Sequence, residues 1–348
     1  MTSLTKIAIT TRKLIRYGIF LVIFLIVAKI LFDLGKGIYR RFYPVPPPPP
    51  TVSFGKLPKL PFPEKGKVNL TFVLETPEGG LPTLPSQAKV YFMPKIAANL
   101  LGLDVAKEKA KSLGFLQNEQ EVSQTIYRFT HKDAPATLEI NIVTGIFSIS
   151  YDLKSDSSPL TRKPPASEIA ASTVRSYLSS ADLLPEDLSG PTTHEFLKIE
   201  GDKLVSALSL SDSDLIKVNF FRKTYSDLSS LTPQPDKANV WFIVSGAQEK
   251  GKQIIAAEYH YFPADEGQSS TYPTKVAQTA WDELNSGQVY VASYGQNKEG
   301  DEVKIRRIYL AYYDAGEEIQ FFQPIIVLEG DNGFMAYTPA VTPDYYGE

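Results

Sequence analysis

The residue types that most often perform catalysis or bind metals are scarce and scattered in this sequence. It contains no cysteine and only three histidines, His131, His194 and His260. No two histidines have the spacing of a zinc site, and the absence of cysteine excludes disulfides, thiolate metal sites and cysteine nucleophiles. Neither a Gly-x-Ser-x-Gly elbow nor Ser-x-x-Lys with its companion motifs is present. We therefore predict no catalytic residue, no cofactor and no metal site.

Two acidic stretches have the composition of ligand-binding loops. Asp212-Ser213-Asp214 begins like a calcium loop but lacks the Gly and the terminal Glu of an EF-hand. Residues 330–333, Gly-Asp-Asn-Gly, lie between two predicted strands, where this composition favours a hairpin turn over a phosphate-binding loop. We interpret both stretches as turns in contact with water.

The charge is distributed unevenly along the chain. Residues 1–41 contain eight Lys or Arg and one acidic residue, whereas the remaining residues contain 28 basic and 38 acidic ones, a net charge of -10. An acidic domain repels phosphate backbones, so we predict that this protein does not bind nucleic acid.

An apolar stretch at residues 14–34 predicts a transmembrane helix. Its 21 residues extend about 31 Å as a helix, close to the hydrocarbon thickness of a bilayer. A cleaved signal peptide or a buried core helix are the alternatives, but no small-residue cleavage site follows the apolar run, and Lys29 lies near enough to its end to reach the headgroups. Basic residues flank the stretch on both sides. Because residues 1–13 form only a short arm, we predict that they remain in the cytoplasm and that the rest is exported across the cytoplasmic membrane.

Residues 35–63 are rich in proline and predict a juxtamembrane linker. Consecutive prolines favour the polyproline II conformation, so the run Pro46–Pro50 is expected to form a stiff spacer. A ligand for an SH3-like groove is the alternative interpretation.

The rest of the sequence alternates helical periodicity with short strands. Helices are predicted after Asp104, from Ser167 to Ala181, and at about 273–285, where Val276, Ala277, Ala280, Trp281 and Leu284 form an apolar stripe. Strands are predicted at 68–72, 88–92, 125–130, 138–143, 146–151, 195–199, 204–210, 215–221, 239–245, 254–262, 303–313, 320–329 and 334–337. This order predicts an α+β fold in which a helix on one face of an antiparallel sheet is used repeatedly. We place a first α+β unit at residues 64–155 and a second α+β region at 156–348.

Two parts of this pattern resemble known families. The strand Ile126–Phe129 and the hairpin Leu138–Phe147, with its Thr-Gly turn, resemble the PepSY domain. The segments 280–284, 322–328 and 334–337 are similar to units of YycH- and YycI-type regulators. This resemblance implies a single-span, exported protein that modulates a sensor kinase or an extracytoplasmic protease and has no catalytic residues.

Residues 320–337 contain more apolar side chains than a strand pair with one face in water needs. Either both faces are covered within the fold, or one face or strand edge binds a protein or peptide partner in the cell envelope. Phe322, Ile326, Phe334 and Tyr337 are the predicted partner-binding residues. The sequence thus favours a non-catalytic, membrane-anchored binding or regulatory protein, with an envelope hydrolase lacking recognisable motifs and a structural cell-surface protein as the alternatives.

Overall fold

The computed structural model describes residues 2–42, 48–64, 66 and 68–347, which divide into the units Met1–Pro49 and Pro50–Glu348. In the first unit, helix α1 extends over Thr2–Phe42. Within it, the 21 residues Arg16–Lys36 have a mean hydropathy of 2.4, and this helix is long and apolar enough to cross a membrane. Residues 35–42 are therefore helical, whereas the sequence assigned them to the juxtamembrane linker. Pro46 and Pro47 of the predicted spacer lie outside the described residues.

The second unit is a mixed α+β domain, as the sequence predicted. Its helices are α2 (Gly102–Ser112), α3 (Ser167–Ser180) and α4 (Ala277–Asn285). The first nine strands are β1 (Thr71–Leu74), β2 (Gln87–Phe92), β3 (Phe115–Glu121), β4 (Ile126–His131), β5 (Ala136–Asn141), β6 (Phe147–Tyr151), β7 (Thr192–Glu200), β8 (Lys203–Ser206) and β9 (Leu215–Phe220). The others are β10 (Ser230–Leu231), β11 (Val240–Val244), β12 (Ile254–Tyr259), β13 (Asp265–Pro273), β14 (Tyr290–Ser293), β15 (Glu302–Tyr313), β16 (Phe321–Phe322), β17 (Pro324–Gly330) and β18 (Met335–Pro339).

A nine-stranded antiparallel sheet forms the first layer, in the order β3-β4-β5-β6-β12-β11-β9-β7-β8. Helices α2 and α3 contribute their apolar residues to one core with the inward side chains of this sheet, including Leu138, Ile149 and Phe242. Strand β6 pairs directly with β12, with Phe147 opposite Tyr259. The predicted boundary at residue 155 is therefore corrected, because it would cut through a continuous sheet.

A six-stranded sheet forms the second layer, in the order β1-β15-β17-β18-β14, with β10 also paired to β15. Strand β1 lies parallel to β15, so residues 71–74 belong with the C-terminal half of the domain and not with a first unit. Helix α4 packs on this sheet through Ala277, Ala280 and Leu284. Val276 precedes the helix and is 64% exposed, so it does not belong to the predicted apolar stripe.

Residues 51–62 pack along the domain instead of forming a spacer, which corrects the linker prediction. Val52 donates a backbone hydrogen bond to the carbonyl of Thr271, and Leu57 forms a parallel bridge with Tyr346. The side chains of Leu57 and Leu60 are buried. We call residues 51–62 the N-terminal arm. It begins beside a third sheet, of order β13-β2-β16.

Candidate functional site

The four predicted partner-binding residues all lie in the domain core. Phe322, Ile326, Phe334 and Tyr337 are each 0% exposed. Strand β17 lies between β15 and β18, and β18 lies between β17 and β14, so neither offers a free edge. These side chains therefore correspond to the alternative in which both faces of the strand pair are covered within the fold.

Each face of this strand pair has an identifiable cover. Ile326 and Phe334 share a core with helix α4, while Tyr337 packs on the other face with Leu60 and Phe62 of the N-terminal arm. The arm was assigned to the linker from its proline content, so its contribution to this core could not be anticipated. A surface for a partner must therefore be sought elsewhere in the domain.

A groove of about 940 Å³ opens between the end of α4, the N-terminal arm and the residues after β18. Tyr337 contributes to its lining, whereas the other three sequence-predicted residues do not. Its rim carries exposed polar side chains, namely Lys59, Asn69, Asn285 and Gln288. We call this cavity the arm groove.

The floor of the arm groove contains a buried ion pair. The Lys275 ammonium lies 2.7 and 2.8 Å from the two carboxylate oxygens of Glu283 and 3.0 Å from the Thr338 hydroxyl, and the lysine side chain is only 7% exposed. Thr338 also donates its hydroxyl hydrogen bond to Glu283. Burial lowers the pKa of Lys275, while the bond to Glu283 acts in the opposite direction.

This floor is saturated with internal hydrogen bonds. An ammonium group has three N–H donors, and each has an acceptor in Glu283 or Thr338. A general acid or base needs a proton or lone pair directed at its substrate. The pair is therefore suited to joining α4 to β18 and not to exchanging protons with a ligand.

Aromatic side chains form much of the groove wall. The ring of Phe62 stacks on Tyr290 at a centroid distance of 5.0 Å, and the Tyr290 hydroxyl donates to the carbonyl of Pro233. The hydroxyl of Tyr346 accepts a hydrogen bond from the backbone N–H of Leu60, and that of Tyr294 donates to Gly66. Since backbone groups occupy these hydroxyls, the groove combines aromatic and apolar walls with a polar rim, which is the composition of a binding site.

A second groove, of about 700 Å³, lies between α3 and the loop that follows α2. Its lining includes the exposed hydroxyls of Ser172 and Ser176 together with His131. The Nδ1 atom of His131 accepts a hydrogen bond from the backbone of Asp133, and burial lowers the pKa of the ring. His194 and His260 do not line it. Among the described residues, no group of three or more histidine or acidic side chains is arranged to hold a metal ion.

The two acidic stretches of the sequence both form turns. Asp212 lies 3.6 Å from Lys198 and Asp214 lies 3.4 Å from Lys163, in each case as an ion pair. Asp331 and Asn332 lie in the short connection between β17 and β18, where Asn332 has a φ of 57° and Gly333 a φ of 81°. These positive values suit the asparagine and glycine at this hairpin.

A buried charge cluster that the sequence did not reveal joins the two large sheets. Arg222, just after β9, is 2.7 Å from Asp187 and 3.1 Å from Asp314, which follows β15. It also donates to the carbonyl of Phe262, and Tyr225 donates its hydroxyl hydrogen bond to Asp187. Burial acts to lower the pKa of Arg222, but the charges of Asp314 and Asp187 outweigh it and raise that pKa. The members of this cluster are far apart in the sequence, so only the fold brings them together.

Comparisons with known proteins give weak matches only. No family model and no curated protein matches the chain. Among solved structures, it is similar to an uncharacterised protein from Eubacterium rectale ATCC 33656, at 11% identity and a TM-score of 0.34, over 74% of this chain and 84% of that one. It is also similar to the Bacillus megaterium YpeB C-terminal domain, at 12% identity and a TM-score of 0.33, over 72% of this chain and 95% of that one. These values are too low to assign a family or to transfer a function.

Proposed function

We propose that this protein is a single-span, membrane-anchored binding protein whose domain at residues 50–348 lies outside the cytoplasm. There it binds an extended protein or peptide segment in the arm groove and so regulates a membrane or envelope partner, such as a sensor kinase or a protease. The observation that carries the proposal is the composition of the groove, with aromatic walls, a polar rim and a saturated floor. A peptide segment matches it, because side chains fill apolar walls while main-chain groups bond to a polar rim.

The anchoring part of the proposal is supported by α1. Its residues Arg16–Lys36 expose all their apolar side chains, which is the pattern of a helix that faces lipid and not a protein core. The short, basic segment before them favours a cytoplasmic N-terminus.

The choice of binding over catalysis is supported by the state of the buried polar groups. The candidate acid–base pair in the groove, Lys275 and Glu283, is satisfied internally. The Arg222 cluster is buried and lines neither of the two grooves. A hydrolase acting in the arm groove would need an acid, base or nucleophile directed into that cavity, so catalysis at this site is less well supported than binding.

Cysteine labelling in intact cells tests the topology. The chain has no native cysteine, so Ser3→Cys and Ser269→Cys each introduce a unique thiol. Ser269 is exposed on β13. An impermeant maleimide should label the variant at position 269 and leave the one at position 3 unlabelled until the cells are opened. The reverse pattern would contradict the proposed orientation.

Site-specific photo-crosslinking tests the groove. A photoreactive amino acid at Gln288, on the exposed rim, should form an adduct with the partner in native membranes, whereas the same group at exposed Ser179 on α3 should not. Ser286→Trp adds bulk at an exposed lining position without touching the core. It should abolish the adduct at an unchanged melting temperature. Equal adducts from Gln288 and Ser179 would argue against the groove as the binding site.

A further inference from the structure

Helix α1 carries two opposite charges inside its apolar stretch. Lys29 and Asp33 lie four residues apart, so they project from the same face about one turn from each other. Neither has an ion-pair partner among the residues that the structure describes. A pair within the helix would have the lysine before the acid, which is the less favourable order at this spacing.

The position of Lys29 makes this pair of charges unusual. It lies seven residues from Lys36, so its Cα is about 10 Å along the axis from the end of the apolar stretch. From this depth the lysine side chain can extend to the headgroups or pair with an acid on a neighbouring helix, and charges within a bilayer are normally paired. Val22 lies on the same face, about two turns from Lys29 and three from Asp33, and it is exposed, as are the other apolar side chains of this stretch.

We propose that two copies of this chain associate in the membrane through this face of α1, with Lys29 of each helix paired with Asp33 of the other. The inference rests on the proposed function in one respect, because it requires that Arg16–Lys36 spans the membrane. Copies inserted by the same route have the same orientation, so a two-fold axis relates the two helices and creates both pairs at once.

Charge complementarity selects a second copy as the occupant. One turn along a helix is about 5.4 Å, which is within reach of the long, flexible lysine side chain. The two charges on this face are opposite in sign, so an identical helix neutralises both. A different partner would have to carry its own acid and base at matching heights.

Disulfide trapping of the full chain in native membranes tests the proposal. Val22→Cys places the only thiol on the proposed face, and Phe24→Cys places it at similar depth on the opposite face, where the side chain is equally unpartnered. Oxidation should give a covalent dimer from the Val22→Cys protein and almost none from the Phe24→Cys protein.

Charge exchange then identifies the pairs. In the Val22→Cys background, Lys29→Asp or Asp33→Lys alone should reduce the dimer about tenfold, since each leaves like charges facing each other. The double exchange should restore it, and the two single variants, expressed together with different tags, should crosslink with each other. These substitutions should leave the fold of the domain at residues 50–348 unchanged, because Lys29 and Asp33 both lie in α1.

Three results would overturn the proposal. They are equal crosslinking at positions 22 and 24, a Val22→Cys dimer that Lys29→Asp leaves unchanged, and an adduct with a different protein in place of the second copy. Carbonate extraction separates this failure from failure of the proposed function. If the chain is released into the soluble fraction, the span itself is wrong, whereas a chain that stays in the membrane without crosslinking leaves the span intact.

Discussion

At the scale of single residues, the domain depends on a buried arginine that contacts two acidic side chains from distant parts of the chain, one in the short helix before β7 and one just after β15. The Arg222 side chain is 1% exposed and contacts Asp187 and Asp314 while the ring of Tyr261 lies 4.9 Å from its guanidinium carbon. Removing one member of a buried ionic network leaves the others charged in a region without water. The loss of stability on replacing Arg222 therefore depends mainly on the acidic side chains that stay buried and charged, and less on the lost ion pairs themselves.

Replacing this arginine gives the first prediction. Arg222→Leu should lower the free energy of unfolding by about 3–5 kcal/mol, because Asp187 and Asp314 remain buried without a countercharge. The matched control is Arg307→Leu, which removes a largely exposed bond to Glu329 and should cost less than about 1 kcal/mol. Urea unfolding of the full chain in detergent measures both. Similar losses for the two variants would mean that the cluster does not stabilise the domain.

A second prediction concerns pH. The hydrogen bond from His260 to Glu258, at 3.1 Å, raises the pKa of the histidine above its ordinary value of 6.5. The folded state therefore binds the proton more tightly than the unfolded state. The resulting stability is fully present below pH 6.5 and is lost as the pH rises through the raised pKa. Because both side chains are about two-fifths exposed, the contribution should be below about 1 kcal/mol.

Two histidine variants check this sign. His260→Gln should destabilise the protein more at pH 5.5 than at pH 8. His131→Gln should show the opposite trend, because burial lowers the pKa of His131 and its protonation below pH 6.5 opposes folding. Thermal melts across this pH range measure both effects. The same trend for both variants would contradict the opposite pKa shifts of His260 and His131.

At the scale of elements, periodicity predicted the helices and most strands correctly, while composition misled where strands are polar. Strand β3 has the sequence Phe-Leu-Gln-Asn-Glu-Gln-Glu and β13 contains Asp, Glu, Gln and Ser, so neither has the apolar alternation that identifies a half-buried strand. Strand β3 forms an edge of its sheet, where only one side needs a partner. Pairing across the chain, as in β1 with β15, leaves no local signal in the sequence.

The same limitation explains the candidate site. The groove wall comes from the N-terminal arm, whose prolines are typical of linkers, although its leucines at positions 57 and 60 are buried. Lys275 and Glu283 lie close in sequence, but Thr338, which completes the floor, does not. Local patterns can identify apolar residues, but they cannot tell which distant segment will cover them.

The arm gives the third prediction. Leu57→Ala should lower the free energy of unfolding by about 2–5 kcal/mol, the range for emptying a fully buried leucine site. Lys56→Ala, at the neighbouring exposed position, should have almost no effect. Replacing Pro46–Pro50 by a Gly/Ser stretch remains a test of the predicted spacer role, for which the stability of the domain is expected to be unchanged. If the Leu57→Ala protein and the unmodified protein had the same melting temperature, the arm would not stabilise the domain and would act as part of the linker.

At the scale of the whole domain, the two large sheets have separate cores. We expect them to unfold as one unit, because the Arg222 cluster connects them. The chain has two tryptophans, Trp241 in β11 of the nine-stranded sheet and Trp281 in α4 on the six-stranded sheet. The Arg222 cluster and the arm cross between segments that are distant in sequence. Because Trp241 and Trp281 lie on different sheets, the fluorescence of each one reports on the unfolding of its own sheet.

The fourth prediction uses these two reporters. Trp241→Phe and Trp281→Phe each leave a single tryptophan, whose fluorescence can be excited selectively over that of the 19 tyrosines. The two variants should unfold in urea with coincident transitions, because the sheets unfold together. Circular dichroism gives the reference midpoint for each variant and corrects for any loss caused by the substitution. Two separated midpoints would show that the two sheets are independent domains.

The bridge between Leu57 and Tyr346 also determines when the domain can finish folding. The N–H of Leu60 bonds to the hydroxyl of Tyr346, 286 residues further along the chain, and Thr71 in β1 bonds to Asp301. In the proposed topology, the arm and β1 emerge first during export, and their partners emerge last. Contacts of such long range form slowly, because a long loop must close before they are made. The proposed export would therefore make the arm and β1 the first segments of the domain to leave the cytoplasm and the last to be sheltered from proteases and chaperones.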